Sequence, residues 1–143
     1  MTCCHRYTLK VERLAFSDMD KFTFFDLRVY QESKMLVSEV YTLLDNFPKH
    51  ETYALSDQLR RAVVSIPSNI AEGAGRFSIK EKIHFIEIAY GSLTETLCQL
   101  DIAHDLSYIN DKEFEDEKER IDVIGKQLSG LRSSFQKQLE KNG

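Results

Sequence analysis

The sequence predicts an all-α fold, an antiparallel up-down four-helix bundle. Three observations lead there. Apolar residues recur every three or four positions over four long stretches. Cap signals of the Ser/Asn-x-x-Glu type occur at Ser78–Glu81 and Asn110–Glu113. Only two prolines and six glycines interrupt 143 residues, few enough for long helices with short connections. One domain is expected over residues 23–143, with residues 1–22, which show no clear period, as an appendage. Ordered patterning begins at Phe22-Thr23-Phe24-Phe25, which makes Met19 a candidate native start.

The first helix is expected from about Asp26 to Asn46. Its apolar residues, among them Val29, Tyr30, Leu36, Val40 and Leu44, cover more than one narrow stripe. An arc that wide implies two neighbours, inside the bundle or across a subunit boundary. Phe47-Pro48 stops the helix, since a residue before proline is pushed away from helical angles. The second helix runs from about Tyr53 to Ala74. Leu55, Leu59, Ala62, Ile66 and Ile70 form its core stripe, and Gly73 and Gly75 are read as a left-handed glycine stop. The third opens at Ser78, carries Ile86, Ala89, Leu93, Leu97, Leu100 and Ala103, and can run to about Tyr108. The fourth starts at Asn110 and carries Phe114, Ile121, Ile124, Leu128, Leu131, Phe135 and Leu139, close to a heptad seam.

Composition narrows the function. Hydrophobic residues make up 42% and charged residues 29%, as in ordinary globular proteins. The formal net charge is −4, so nucleic-acid binding would need a local basic surface. Three cysteines, Cys3, Cys4 and Cys98, give no disulfide framework. No apolar run approaches the ~20 residues that span a bilayer. No signal-peptide pattern is present either, so a reducing cytoplasm is expected and no membrane partner.

The block from Arg60 to Arg76 carries the strongest local pattern. Arg61, Ser65, Asn69, Glu72 and Arg76 recur at steps of four, four, three and four and share one helix face. As a functional site they would bind a ligand or nucleic acid. As structure they form an interhelical hydrogen-bond network with Glu95 and Gln99 of the third helix. Pro67 favours the structural reading, because it removes an amide within the helix and leaves backbone groups to be satisfied. Glu95 is expected to face the second helix and pair with Arg61 or Asn69. The basic residues Lys49, Arg60, Arg76, Lys80 and Lys82 are the candidates for phosphate binding. They lie in a stretch whose local balance is +2, and a ring would repeat such a patch around its circumference.

Catalysis and metal binding find little support. The four histidines form no HExxH pair and no zinc ligand spacing. Cys3-Cys4-His5 has no second half-site, and Glu81-x-x-His84 occurs once where a di-iron bundle needs two such steps. No glycine-rich phosphate loop follows a strand. No enzyme, cofactor or metal is expected. The segment Glu113 to Asp122, with six acids and two bases, is read as a solvated first turn at a positive helix end.

The motifs Phe25-Asp26-Leu27-x-Val29-Tyr30-Gln31, Phe47-Pro48-Lys49-x-Glu51-x-Tyr53-x-Leu55, Gln58-Leu59-Arg60-Arg61-Ala62-x-x-Ser65-Ile66-Pro67-Ser68-Asn69-Ile70-Ala71-Glu72-Gly73 and Phe85-x-x-Ile88-Ala89-x-Gly91-Ser92-Leu93-x-Glu95-Thr96 occur in this order. Over about residues 24–135 the chain resembles the four-helix-bundle proteins encoded in intervening sequences of bacterial 23S ribosomal RNA genes. The resemblance implies a ring-shaped homopentamer without enzymatic activity. It extends to the accessory proteins of diversity-generating retroelements, which implies RNA or DNA and a reverse transcriptase or other protein as partners. The expected function is a non-catalytic oligomeric protein that binds RNA or DNA phosphates sequence-independently. The alternative is a structural or protein-interaction scaffold without nucleic-acid affinity.

Overall fold

The computed structural model describes residues 22–142. Readings that concern residues 1–21, including the Met19 start and Cys3-Cys4-His5, lie outside the described residues. Four helices dominate: α1 (Arg28–Leu44), α2 (Leu55–Ala74), α3 (Ile79–Asp105) and α4 (Asp111–Asn142). Short 3-10 turns at Thr23–Asp26 and Lys49–Glu51 precede α1 and α2. Among the described residues there is no strand. No helix among them is long and apolar enough to cross a membrane.

Both sequence caps form. At α3, the Glu81 amide donates to Ser78 Oγ at 3.2 Å. At α4 the box is reciprocal: the Glu113 amide donates to Asn110 Oδ1 at 2.8 Å, and the Asn110 amide donates to Glu113 Oε1 at 3.0 Å. Each pair satisfies amides that the first helical turn leaves without partners.

Helices α1 and α3 each pack against both α2 and α4, which gives the cyclic order α1–α2–α3–α4. Ser65 meets Ser92 while Ala74 meets Lys82, so α2 and α3 run antiparallel. Glu87 meets Arg132 while His104 meets Asp111, so α3 and α4 do too. One core fills the middle: Leu36 and Val40 of α1, Leu59, Val63 and Ile66 of α2, Leu93 and Leu100 of α3, Ile124 and Leu128 of α4. Each such side chain removed from water contributes about 1.5–3 kcal/mol. Most of the wide apolar arc of α1 is taken up by α2 and α4 of the same chain, while Tyr41 stays 43% exposed.

The end of α2 departs from the glycine-stop expectation. No described glycine has a positive φ, and Gly75 is αR at φ −83°. The helix instead closes with the Gly75 amide on the Ala71 and Glu72 carbonyls, and with Lys82 Nζ donating to the Ala74 carbonyl at 3.0 Å. Gly73 serves packing. A Cβ there would stand 2.8 Å from Phe85 Cβ, an atom fixed to the α3 backbone. Within α2, Pro67 supplies no amide, and the side chains of Ser68 and Asn69 bond the next two carbonyls, Val64 and Ser65, each at 2.8 Å.

Gly73→Ala is therefore expected to destabilise the protein by about 1–3 kcal/mol, the range for overpacking a tight contact. Gly91→Ala, in exposed α3 with open space around the new methyl, should stabilise by about 0.5–1 kcal/mol. Urea denaturation of the two variants checks the pair; equal shifts of one sign would contradict it.

Candidate functional site

The α2–α3 seam is polar at one level. Ser65 and Ser92 hydroxyls meet at 2.8 Å, and Asn69 Nδ2 donates to Ser65 Oγ at 2.9 Å. Ser92, not Glu95, is the α3 partner. Glu95 is exposed and accepts from Gln99 along its own helix at 3.1 Å. Its expected pairing with Arg61 or Asn69 does not form, because the α3 stripe toward the core runs through Ala89, Leu93, Thr96 and Leu100. Position 95 sits on the outer side with Ile88 and Ile102. Arg61 also leaves the network: its side chain is 81% exposed and pairs with Asp57 at 3.3 Å. Four-residue steps advance a row by about 40° around the helix, so Arg61 has turned out where Ser65 is still inside. Glu72 and Arg76 form an i,i+4 pair at 2.9 Å on the surface.

The basic candidates fall at two ends of α2. Lys49 and Arg60 lie near its start, Arg76, Lys80 and Lys82 around its finish. The stretch between them measures about 21 Å at 1.5 Å per residue, so one protomer does not gather them into one patch. Two of the five have structural roles. Arg76 pairs with Glu72 and stands 4.7 Å over the Phe85 ring. Lys82 caps α2 and stands 5.9 Å from the Phe135 ring. Lys49 and Lys80 are exposed and Arg60 is half-buried. Among the described residues none of these three has an ion-pair partner.

A third constellation, at α1 and α4, is the most perturbed among the described residues. Arg120 forks onto Glu39 with two nitrogens at 2.8 Å and reaches Glu32 at 3.1 Å. Glu117, one turn earlier on α4, is buried at 5% exposure, and its Oε2 has no hydrogen-bond partner. Burial, then the charge of Glu39 and a hydrogen bond with it, push its pKa up to about 8, against the pull of Arg120. The segment from Glu113 to Asp122 is thus not uniformly solvated, as the sequence suggested. Elsewhere, Asp101, His104 and Asp105 bring ligand atoms within 4.8 Å of one another at the end of α3. His104 is already held by Asp111 at 2.6 Å and stacked on Phe114.

A family model described as 23S rRNA-intervening sequence protein matches residues 25–130. The chain belongs to this family. The match spans all the seam, basic and carboxylate residues above. A solved structure from Bacteroides thetaiotaomicron, a protein with unknown function from the S23 ribosomal protein family, superposes with a TM-score of 0.68. It shares 23% sequence identity, over 73% of this chain and 97% of its own. At that identity the likeness speaks for the fold alone. No curated protein matches the chain.

The carboxylate cluster had a sequence signal. Phe114, Glu117, Ile121, Ile124, Leu128, Leu131 and Phe135 step by three and four without a break. Glu117 fills the heptad position between Phe114 and Ile121, which marks it as a core position occupied by an acid.

A carboxyl whose pKa is raised on folding binds its proton more tightly in the folded state. Its contribution to stability is complete below the unfolded value near 4.5, falls as pH rises, and is gone above about 8. Stability should therefore decline between those limits with a slope of up to about 1.4 kcal/mol per pH unit. Glu117→Gln should remove that slope and melt higher than wild type above pH 8. Parallel pH–Tm curves for the two proteins would contradict this.

Proposed function

We propose that this chain is a non-catalytic protomer of a ring, most simply of five copies, that associates with RNA or DNA through phosphate contacts repeated around the ring. The observation that carries the reading is the outer side of α3. Ile88 and Ile102 share it at 37% and 43% exposure, Leu106 just past the end of α3 is 50% exposed, and Val64 of the neighbouring α2 is 39% exposed. A helix apolar on its outer as well as its inner side needs a second partner. Closed rings supply one through heterologous contacts, each copy offering two different faces to its neighbours.

The phosphate contacts are assigned to Lys49, Arg60 and Lys80, whose charges are not committed within the protomer, with Arg76 beside Lys80. Ring symmetry would sum what one protomer keeps apart. The split of the basic residues between two ends of α2 favours the second reading, a scaffold without nucleic-acid affinity.

Light scattering at micromolar protein should return a closed oligomer; a monomer would reject the ring. Binding of RNA and DNA of several sequences should weaken as salt rises. Lys49→Gln with Lys80→Gln should lower the affinity equally for all of them. On duplex DNA the log–log salt slope should flatten by about 0.9 for each phosphate that is no longer neutralised. Both residues are exposed, so the melting temperature should not change. If the wild type binds neither RNA nor DNA at low salt, the scaffold reading replaces this one.

A further inference from the structure

Two aromatic rings stand clear of the packing. Tyr53 is 94% and Phe77 101% exposed, more than any other large apolar side chain among the described residues. Tyr53 lies in the connection before α2 and Phe77 in the connection after it. Neither ring belongs to the hydrophobic core. Each has an uncommitted lysine close to it in the chain. Lys49 precedes Tyr53 by four residues, and Lys80 follows Phe77 by three. Both lysines are exposed. The backbone is wound tightly at both places. The Thr52 amide donates to the Lys49 carbonyl at 3.1 Å and the Ala54 amide to the Glu51 carbonyl at 3.0 Å. At the other end the Glu81 amide on Ser78 Oγ sets Lys80 in the first turn of α3, directly after Phe77.

The neighbours of the rings narrow the partner. Apolar surfaces that bind proteins are contiguous, and the cores of protein interfaces are depleted in lysine. Here Thr52 and Ala54 flank Tyr53, and Arg76 and Ser78 flank Phe77. A flat ring with a cation beside it matches a nucleobase and its phosphate. Duplex bases are stacked on one another and show only their edges in the grooves. Only an unpaired base has a face to offer.

We propose that the two ends of α2 are stacking platforms for single-stranded nucleic acid. One unpaired base lies on Phe77 with a phosphate at Lys80, and another on Tyr53 with a phosphate at Lys49. This specificity rests on the nucleic-acid association proposed above and narrows it to single strands. About 30 Å of helix separates the platforms, so a strand is held at two points and not along a continuous groove. Every base has a π-face, so the stack reads no sequence.

Fluorescence anisotropy with labelled oligothymidylate, alone and annealed to oligoadenylate, tests the proposal on the full chain. Phosphate contacts alone would favour the duplex, whose charge is denser. The single strand should instead bind more tightly. Phe77→Ala should weaken its binding at least about fivefold and leave duplex binding unchanged. The salt slope should stay as in wild type, because no phosphate contact is lost. The melting temperature should not move, since the ring is exposed. Phe77→Tyr should retain the affinity. The chain has no tryptophan, so Phe77→Trp gives a single reporter whose emission the single strand should quench and the duplex should not. A duplex bound as tightly as the single strand, or wild-type single-strand affinity in Phe77→Ala with Tyr53→Ala, would overturn the stacking and leave the phosphate contacts standing. A smaller oligomer for Phe77→Ala in light scattering would overturn it too, by placing the ring between copies. Absence of binding to either probe at low salt would remove the stacking together with the nucleic-acid reading.

Discussion

Arg120 closes the bundle. Helix α1 must return to α4 for the four helices to enclose one core, and that seam is lined by acids from both sides. Glu32 and Glu39 stand two turns apart on α1, and Arg120 reaches both from α4. Glu117 lies against the same cluster, buried, with one oxygen unpartnered. Without the guanidinium, closure would press carboxylates together in a place that water reaches poorly. Breaking such a cluster costs more than making it gains, because the charges left behind stay desolvated. The fork joins α1 to α4, while Glu117 is left to burial and the charge of Glu39, which hold its proton against the pull of Arg120.

The opposite seam works by closeness instead of charge. Helices α2 and α3 approach until Gly73 has no room for a methyl against Phe85. Ala62 and Ala89 are buried on the two helices, and the polar crossings described there are the compact Ser65–Ser92 contact and, at the end of α2, Lys82 Nζ on the Ala74 carbonyl. Tight packing on the inner side leaves the large apolar residues of α3, Ile88 and Ile102, on the outer side. The exposed apolar outer side of α3 is thus a consequence of how α2 and α3 meet.

Much of this was legible in the chain. The caps at Ser78 and Asn110 marked the starts of α3 and α4, and the stripes of α2, α3 and α4 became the core. The choice among polar residues was harder to read, for physical reasons. Helical spacing puts Arg61, Ser65 and Asn69 in one row, but only short side chains fit where the helices touch. Arg61 is long enough to find Asp57 and water instead. Glu95 lies one residue from buried Thr96, a rotation of about 100° that decides between core and solvent. Glu117 was hidden by its company: surrounded by acids it looked solvated, while its heptad position put it inside. The glycines at 73 and 75 suggested a left-handed stop, since sequence alone does not separate a conformational need from a steric one.

The central claim, that Arg120 holds α1 to α4, is tested most directly by a double-mutant cycle between Arg120 and Glu39. Urea denaturation of Arg120→Ala, Glu39→Ala and the double variant gives the coupling without the costs private to each residue. The expected coupling is about 1–3 kcal/mol, with the double variant no less stable than Arg120→Ala alone. Additive losses, with a coupling near zero, would show that the fork is a surface ornament and that the bundle closes without it.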